Sequence, residues 1–171
     1  MAQDDFGDAA TGTHGRDYIL GLNFSFTSSK SDASGSNNVT DVSLSTRFGW
    51  NLGNFELGPV FTYRSNDESS LTNTSIKFGM FGDFNMISNI PGEIFIYGLG
   101  GYVVLGSRDN GAGTKSTITE VFAGPFVKWF FGGSSYAIRF DGGYQIQRLA
   151  QDSGDVTISG LGMTGGIQAY F

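Results

Sequence analysis

The chain has no cysteine, only three prolines, and one histidine among its 171 residues. Without cysteine there is no disulfide framework and no thiolate metal site. Basic residues are also scarce: Lys and Arg number 10 against 16 Asp and Glu, a formal net charge of −6. Nucleic-acid partners want a basic stripe, so that class is excluded. No stretch approaches the roughly eighteen apolar residues of a membrane helix. A hydropathy scan would therefore pass the chain as soluble, but it is blind to membrane strands that alternate and average out. An export signal is missing too, and Met1-Ala2-Gln3-Asp4-Asp5 reads as a mature N-terminus carrying an added initiator Met.

What the sequence has in excess is glycine, 27 residues, and aromatics, 15%. Glycine without a fixed period is not collagen, and this many rings argues against disorder. The rings are sorted. In Tyr136-Ala137-Ile138-Arg139-Phe140-Asp141-Gly142-Gly143-Tyr144 the aromatics and isoleucine share one parity, and Arg139 and Asp141 share the other. Side chains of a strand alternate faces, so parity is a face.

Eight such segments are predicted, at about 17–27, 39–51, 55–64, 73–84, 94–105, 117–131, 136–147 and 156–171. Tight turns at Asn51–Asn54 and Gly132–Ser135 and a medium turn from Asn85 to Glu93 alternate with longer polar loops. The longer loops run from Ser28 to Asn38, Ser65 to Thr72, Gly106 to Ser116 and Arg148 to Asp155. This is an up-and-down antiparallel meander, and closing it removes the exposed edges. The predicted fold is all-β: an eight-stranded antiparallel transmembrane β-barrel over 17–171, with residues 1–16 a flexible lead-in. An even strand count puts both termini at the short-turn end.

One parity carries the apolar face, for example Leu20, Leu22 and Phe24, then Phe61 and Tyr63, then Phe78 and Met80. Trp50, Phe55, Phe84, Phe95, Trp129, Phe131 and Tyr136 all fall beside the short turns, with Phe171 at the C-terminus. Rings collect at membrane interfaces because they join an apolar body to a polarisable edge. The opposite parity carries Asp17, Asp41, Arg47, Glu56, Arg64, Lys77, Asp83, Glu120, Lys128, Arg139 and Asp141. An Arg or Lys facing lipid at the midplane costs about 2–4 kcal/mol. Turning all the basic residues outward would cost roughly 5–15 kcal/mol, comparable to the stability of a whole domain. The charges point inward.

The final segment, Leu161-Gly162-Met163-Thr164-Gly165-Gly166-Ile167-Gln168-Ala169-Tyr170-Phe171, has alternate apolar residues and ends on an aromatic. It resembles the C-terminal strand that the outer-membrane assembly machinery recognises. Gly124-Pro125-Phe126-Val127-Lys128-Trp129-Phe130 is similar to a strand of small OmpA/OmpX-like outer-membrane barrel domains. The resemblance implies a Gram-negative outer membrane and loops outside the cell. It implies periplasmic termini, contact with membrane lipid and lipopolysaccharide, and a monomer whose Phe171 serves as the assembly signal. It implies no particular activity, because such barrels serve as anchors, adhesins, lipid enzymes and narrow pores.

The inward charges could be an ion path, a catalytic carboxylate pair or a structural plug. Six acids against five bases suits a paired interior, and an eight-stranded barrel has room only for its own side chains. Inward Phe81, Tyr102, Phe122, Phe126 and Phe130 oppose inward Gly21, Gly49, Gly58, Gly79 and Gly143, large against small. Lipid A enzymes on this fold depend on a histidine, and the single His14 lies in the lead-in, a poor place for a base that must be held. Gly160-Leu161-Gly162-Met163-Thr164-Gly165 matches a dinucleotide fingerprint as a string, yet no helix follows it. Asp109-Asn110-Gly111 reads as a turn, and Asn66-Asp67-Glu68 lacks calcium-loop spacing. No catalytic residue, cofactor or metal site is predicted. The expected role is structural or surface-related. The alternatives are adhesion through the loops, lipid modification, and a soluble lipocalin-like carrier.

Overall fold

A computed structural model describes residues 16–31, 39–68, 71–109, 115–151 and 154–171. Eight strands follow in order: β1 (Tyr18–Ser31), β2 (Val39–Asn51), β3 (Phe55–Glu68), β4 (Leu71–Asn85), β5 (Phe95–Asp109), β6 (Lys115–Phe130), β7 (Tyr136–Ala150) and β8 (Val156–Tyr170). Each pairs antiparallel with the next, and β1 closes on β8 from Ile19↔Tyr170 to Ser31↔Ile158. The result is a closed barrel in sequence order. The fingerprint string Gly160–Gly165 lies wholly in β8.

At the short-turn end the strand limits fall close to those expected from sequence. At the other end several strands run on: β1 to Ser31, β3 to Glu68, β4 from Leu71, β5 to Asp109 and β7 to Ala150. Polar residues read as loop are therefore strand, and Arg108 and Arg148 sit on strand ends. The apolar alternation stops where the apolar belt stops. The hydrogen-bonded ladder has no need of apolar side chains and continues beyond it. Phe131, expected to end β6, begins a 3₁₀ turn (Phe131–Gly133) in which Gly132 takes φ 57°.

Two gaps interrupt the ladder. Between Arg47↔Val60 and Trp50↔Leu57, and again between Ala123↔Tyr144 and Phe126↔Asp141, pairing skips Pro59 and Pro125. Proline has no N–H to give. The glycine preceding each proline faces a glycine across the gap (Gly58 against Gly49, Gly124 against Gly143), where a β-carbon would collide with the opposing backbone.

The faces are inverted relative to a soluble domain. Phe78 is 62% exposed and outward, whereas Phe81, three residues along, is 3% exposed and inward. The outward positions Leu20, Leu22, Phe24, Phe61, Tyr63 and Met80 are exposed, as are Tyr136, Phe140 and Tyr144, and Ile138 is partly so. The inward rings Phe81, Phe122, Phe126 and Phe130 are buried, and Tyr102 is partly so. The aromatic band is continuous at one level: Phe55 pairs with Phe84, Phe95 with Trp129 and Tyr18 with Trp50. Trp50, Phe55, Phe84, Phe95, Trp129, Phe131, Tyr136 and Phe171 are all exposed.

Candidate functional site

The inward charges form three tiers along the barrel. At the short-turn end, Glu56 on β3 is buried, and its Oε1 accepts from Lys128 Nζ (2.6 Å), Asn89 Nδ2 (2.7 Å) and Asn85 Nδ2 (3.0 Å). Lys128 also donates to Asn85 Oδ1 (3.2 Å) and lies 4.7 Å from the centre of the Phe126 ring. The turns come inward to reach this tier. Asn51 donates to the carbonyls of Arg16 (2.7 Å) and Asn89 (2.8 Å), and its own oxygen accepts from Gly53 N (3.0 Å), which sits at φ 78°.

Arg16 caps this end. It is 1% exposed, lies over the Phe130 ring (3.7 Å), and donates to Asn89 Oδ1 (3.1 Å) and to the carbonyls of Ile90 (2.8 Å), Glu93 (3.3 Å) and Ser134 (2.7 Å). Burial lowers its pKa from the ordinary arginine value, with Tyr170 and Glu93 pulling the other way. A guanidinium starts so high that it stays charged. Arg16, expected as the last residue of the lead-in over 1–16, is fixed inside the barrel mouth, where five of its contacts converge. Residues 1–15, His14 among them, lie outside the described residues.

The middle tier is a fork. Arg139 donates from Nη1 and Nη2 to Asp83, and from Nε and Nη2 to Asp141, the Nε contacts being 3.0 and 2.9 Å. Its guanidinium lies 4.2 Å from the Phe126 ring centre. Gly100 on β5 faces this fork, and a β-carbon there would collide with the Asp83 carboxylate. Arg47 approaches Asp83 at 3.6 Å, too far for a hydrogen bond. The upper tier pairs Lys77 with Glu120, whose Oε1 also accepts from Tyr102 OH (2.8 Å). Tyr102 stacks on Phe122 at 5.3 Å.

Eight of the eleven charges expected inside are thereby brought together: Arg47, Glu56, Lys77, Asp83, Glu120, Lys128, Arg139 and Asp141. Arg64 is half-buried, within electrostatic reach of Glu120 and Arg108. Asp17 is half-buried at the mouth, where its carbonyl accepts from Asn51 N (2.8 Å). The side chain of Asp41 lies outside the described residues. Among the described residues, each of the four buried carboxylates is held by at least one cation. Parity did not single out Arg16, Asn51, Asn85, Asn89, Gln168 or Tyr170, and all six are buried. The asparagines stand at strand ends and in turns, where that residue type usually serves the local backbone. Their one visible signal was the recurrence of asparagine at the short-turn end, at positions 51, 85 and 89.

Neither a family model nor a curated protein sequence matches the chain. Solved structures do. Neisserial surface protein A superposes with a TM-score of 0.65 at 13% identity, over 90% of this chain and 97% of that one. Ail, the attachment invasion locus protein of Yersinia pestis, solved with the heparin analogue sucrose octasulfate, gives a TM-score of 0.51 at 11% identity, over 92% and 99%. At such identities the likeness is one of fold: the closed eight-stranded antiparallel barrel of small outer-membrane proteins.

Proposed function

We propose that the chain is an integral protein of a bacterial outer membrane, with a structural or surface role and no catalytic centre. Its interior is read as a salt-bridged plug. The observation that carries this is the inversion itself: among the described residues, rings and aliphatic side chains face outward on all eight strands, and five cations are buried within. Water would penalise the first and hydrocarbon the second, so the outer solvent must be lipid. The aromatic band would mark the periplasmic interface, with the termini and short turns below it and the longer loops outside the cell. Membrane lipid and lipopolysaccharide are then the neighbours of the belt. A closed barrel leaves no edge strand for pairing, which favours a monomer. The buried carboxylates are committed to cations, which speaks against an acid–base pair.

Heat-modifiable gel mobility after refolding in detergent tests the barrel, and planar-bilayer conductance tests the plug. Unheated protein should migrate faster than boiled protein, and bilayers should show no steady large openings. Identical mobilities would sink the reading, and persistent openings would sink the plug. A second reading, attachment through the outer loops, draws on the likeness to Ail. Replacing the loops should then abolish cell binding while the heat-modifiable form persists.

A further inference from the structure

The outer surface of the barrel carries an apolar groove of about 470 Å³ across β3, β4, β5 and β6. Its floor is one row of the sheet, in which Gly82 pairs with Gly101 and Gly101 with Ala123. In register, Leu57 on β3 stands before this row and Tyr144 on β7 beyond it. Paired strands lie about 4.8 Å apart, so the row from Leu57 to Tyr144 spans about 19 Å. On the short-turn side of the row stand Phe84, Leu99 and Pro125, and on the other side Met80, Val103 and Val121. All six are exposed and outward, so the groove is a trough between two ridges.

The two glycines of the floor differ. A β-carbon at Gly101 would lie 2.4 Å from the Phe122 carbonyl oxygen, so the fold itself demands glycine there. A β-carbon at Gly82 would meet nothing within 4 Å. Glycine weakens a strand interior, and where the fold does not require it, it marks a place that something else approaches closely.

The ridges stand about 13 Å apart, backbone to backbone, and their side chains narrow the gap further. That excludes an α-helix, which is about 10–12 Å across. A second barrel would bring a convex belt, which meets the ridges before it reaches the floor. A single hydrocarbon chain fits, and the groove is continuous with the apolar belt around it. Gly82 lies two residues, about 7 Å along the strand, from Phe84 of the aromatic band, so the groove opens on the short-turn half of the belt.

We infer that the groove binds one straight acyl chain of a lipid from the membrane leaflet on the short-turn side. That rests on the belt facing lipid, as in the proposed function. Against a run of side-chain tips a chain makes contact on one side only. Here it meets backbone beneath and side chains on both flanks, and the dispersion contacts add.

The test is native mass spectrometry of refolded protein in mild-detergent micelles doped with phosphatidylethanolamine, with either straight saturated chains or methyl-branched ones. The wild type should carry one straight-chain lipid and several-fold less of the branched one, which is too wide for the trough. Gly82→Leu and Ala123→Leu each fill the floor from outside and should cut the straight-chain adduct several-fold. A wild type without the adduct would overturn the inference, as would an undiminished adduct in either variant, or equal amounts of the two lipids. A paired barrel that Gly82→Leu splits would overturn it too, in favour of a second copy. Gel mobility of the same samples, boiled and unboiled, reports the barrel separately. A missing adduct with the compact band intact therefore condemns the groove and spares the fold.

Discussion

Arg139 holds two carboxylates at once, so its loss strands two like charges facing each other in a low dielectric. Breaking a buried pair costs far more than its net worth, because the remaining charge keeps its desolvation penalty. Arg139→Met should lower the unfolding free energy by about 3–5 kcal/mol in urea titrations of the refolded barrel. The control is Arg148→Met. Its partner Asp155 and Arg148 itself are exposed, with side-chain exposures of 42% and 65%, so the change should stay within about 1 kcal/mol. Similar losses at both positions would mean the interior is as wet as the surface. At this scale the sequence was legible as to side but not as to partner. Parity sent Asp83, Arg139 and Asp141 inward, yet nothing in their spacing says that one arginine takes both aspartates, since Asp83 comes from β4 on the facing wall. Arg16 was invisible for another reason: it precedes the first alternation and is placed by turn carbonyls.

At the scale of the strand, parity placed the faces of all eight, because a one-residue slip would reverse every side chain at once. It under-read their length, because the polar upper turns of β3, β4 and β5 carry no apolar signal although their ladder persists, as in Glu68↔Leu71 and Thr74↔Asp109. The end of β8 raises a separate question. Phe171 stacks on Tyr18 at 6.0 Å and exchanges backbone hydrogen bonds with it (2.8 and 3.1 Å), so it has a local role whatever else recognises it. If it is also the assembly signal, the two roles separate by setting. Phe171→Ala should cut the amount reaching the outer membrane of expressing cells several-fold, while the purified variant still refolds to the heat-modifiable form. Equal loss in both settings would reduce Phe171 to a packing residue.

For the whole molecule, the inversion of faces makes the surrounding solvent part of the fold, and that can be measured with one charge at two depths. Met80 and Phe84 both point outward from β4, with 51% and 42% exposure. Phe84 belongs to the aromatic band, and Met80 lies four residues further, about 13 Å along the strand. Strands in such barrels tilt by about 35–45° across an apolar band of about 25 Å, so Met80 falls near mid-depth. Met80→Arg should therefore cost about 2–4 kcal/mol in lipid vesicles, and Phe84→Arg only about 0–1 kcal/mol from its charge. Around a water-soluble carrier the order would differ: an arginine replacing exposed Met80 would be neutral or favourable, and no depth dependence would appear. Urea unfolding of both variants in vesicles separates the two cases. A gradient that makes Met80→Arg the costlier change follows only if hydrocarbon surrounds the belt, because the one ring contact that separates the two positions, Phe84 with Phe55 at 5.1 Å, works in the opposite direction.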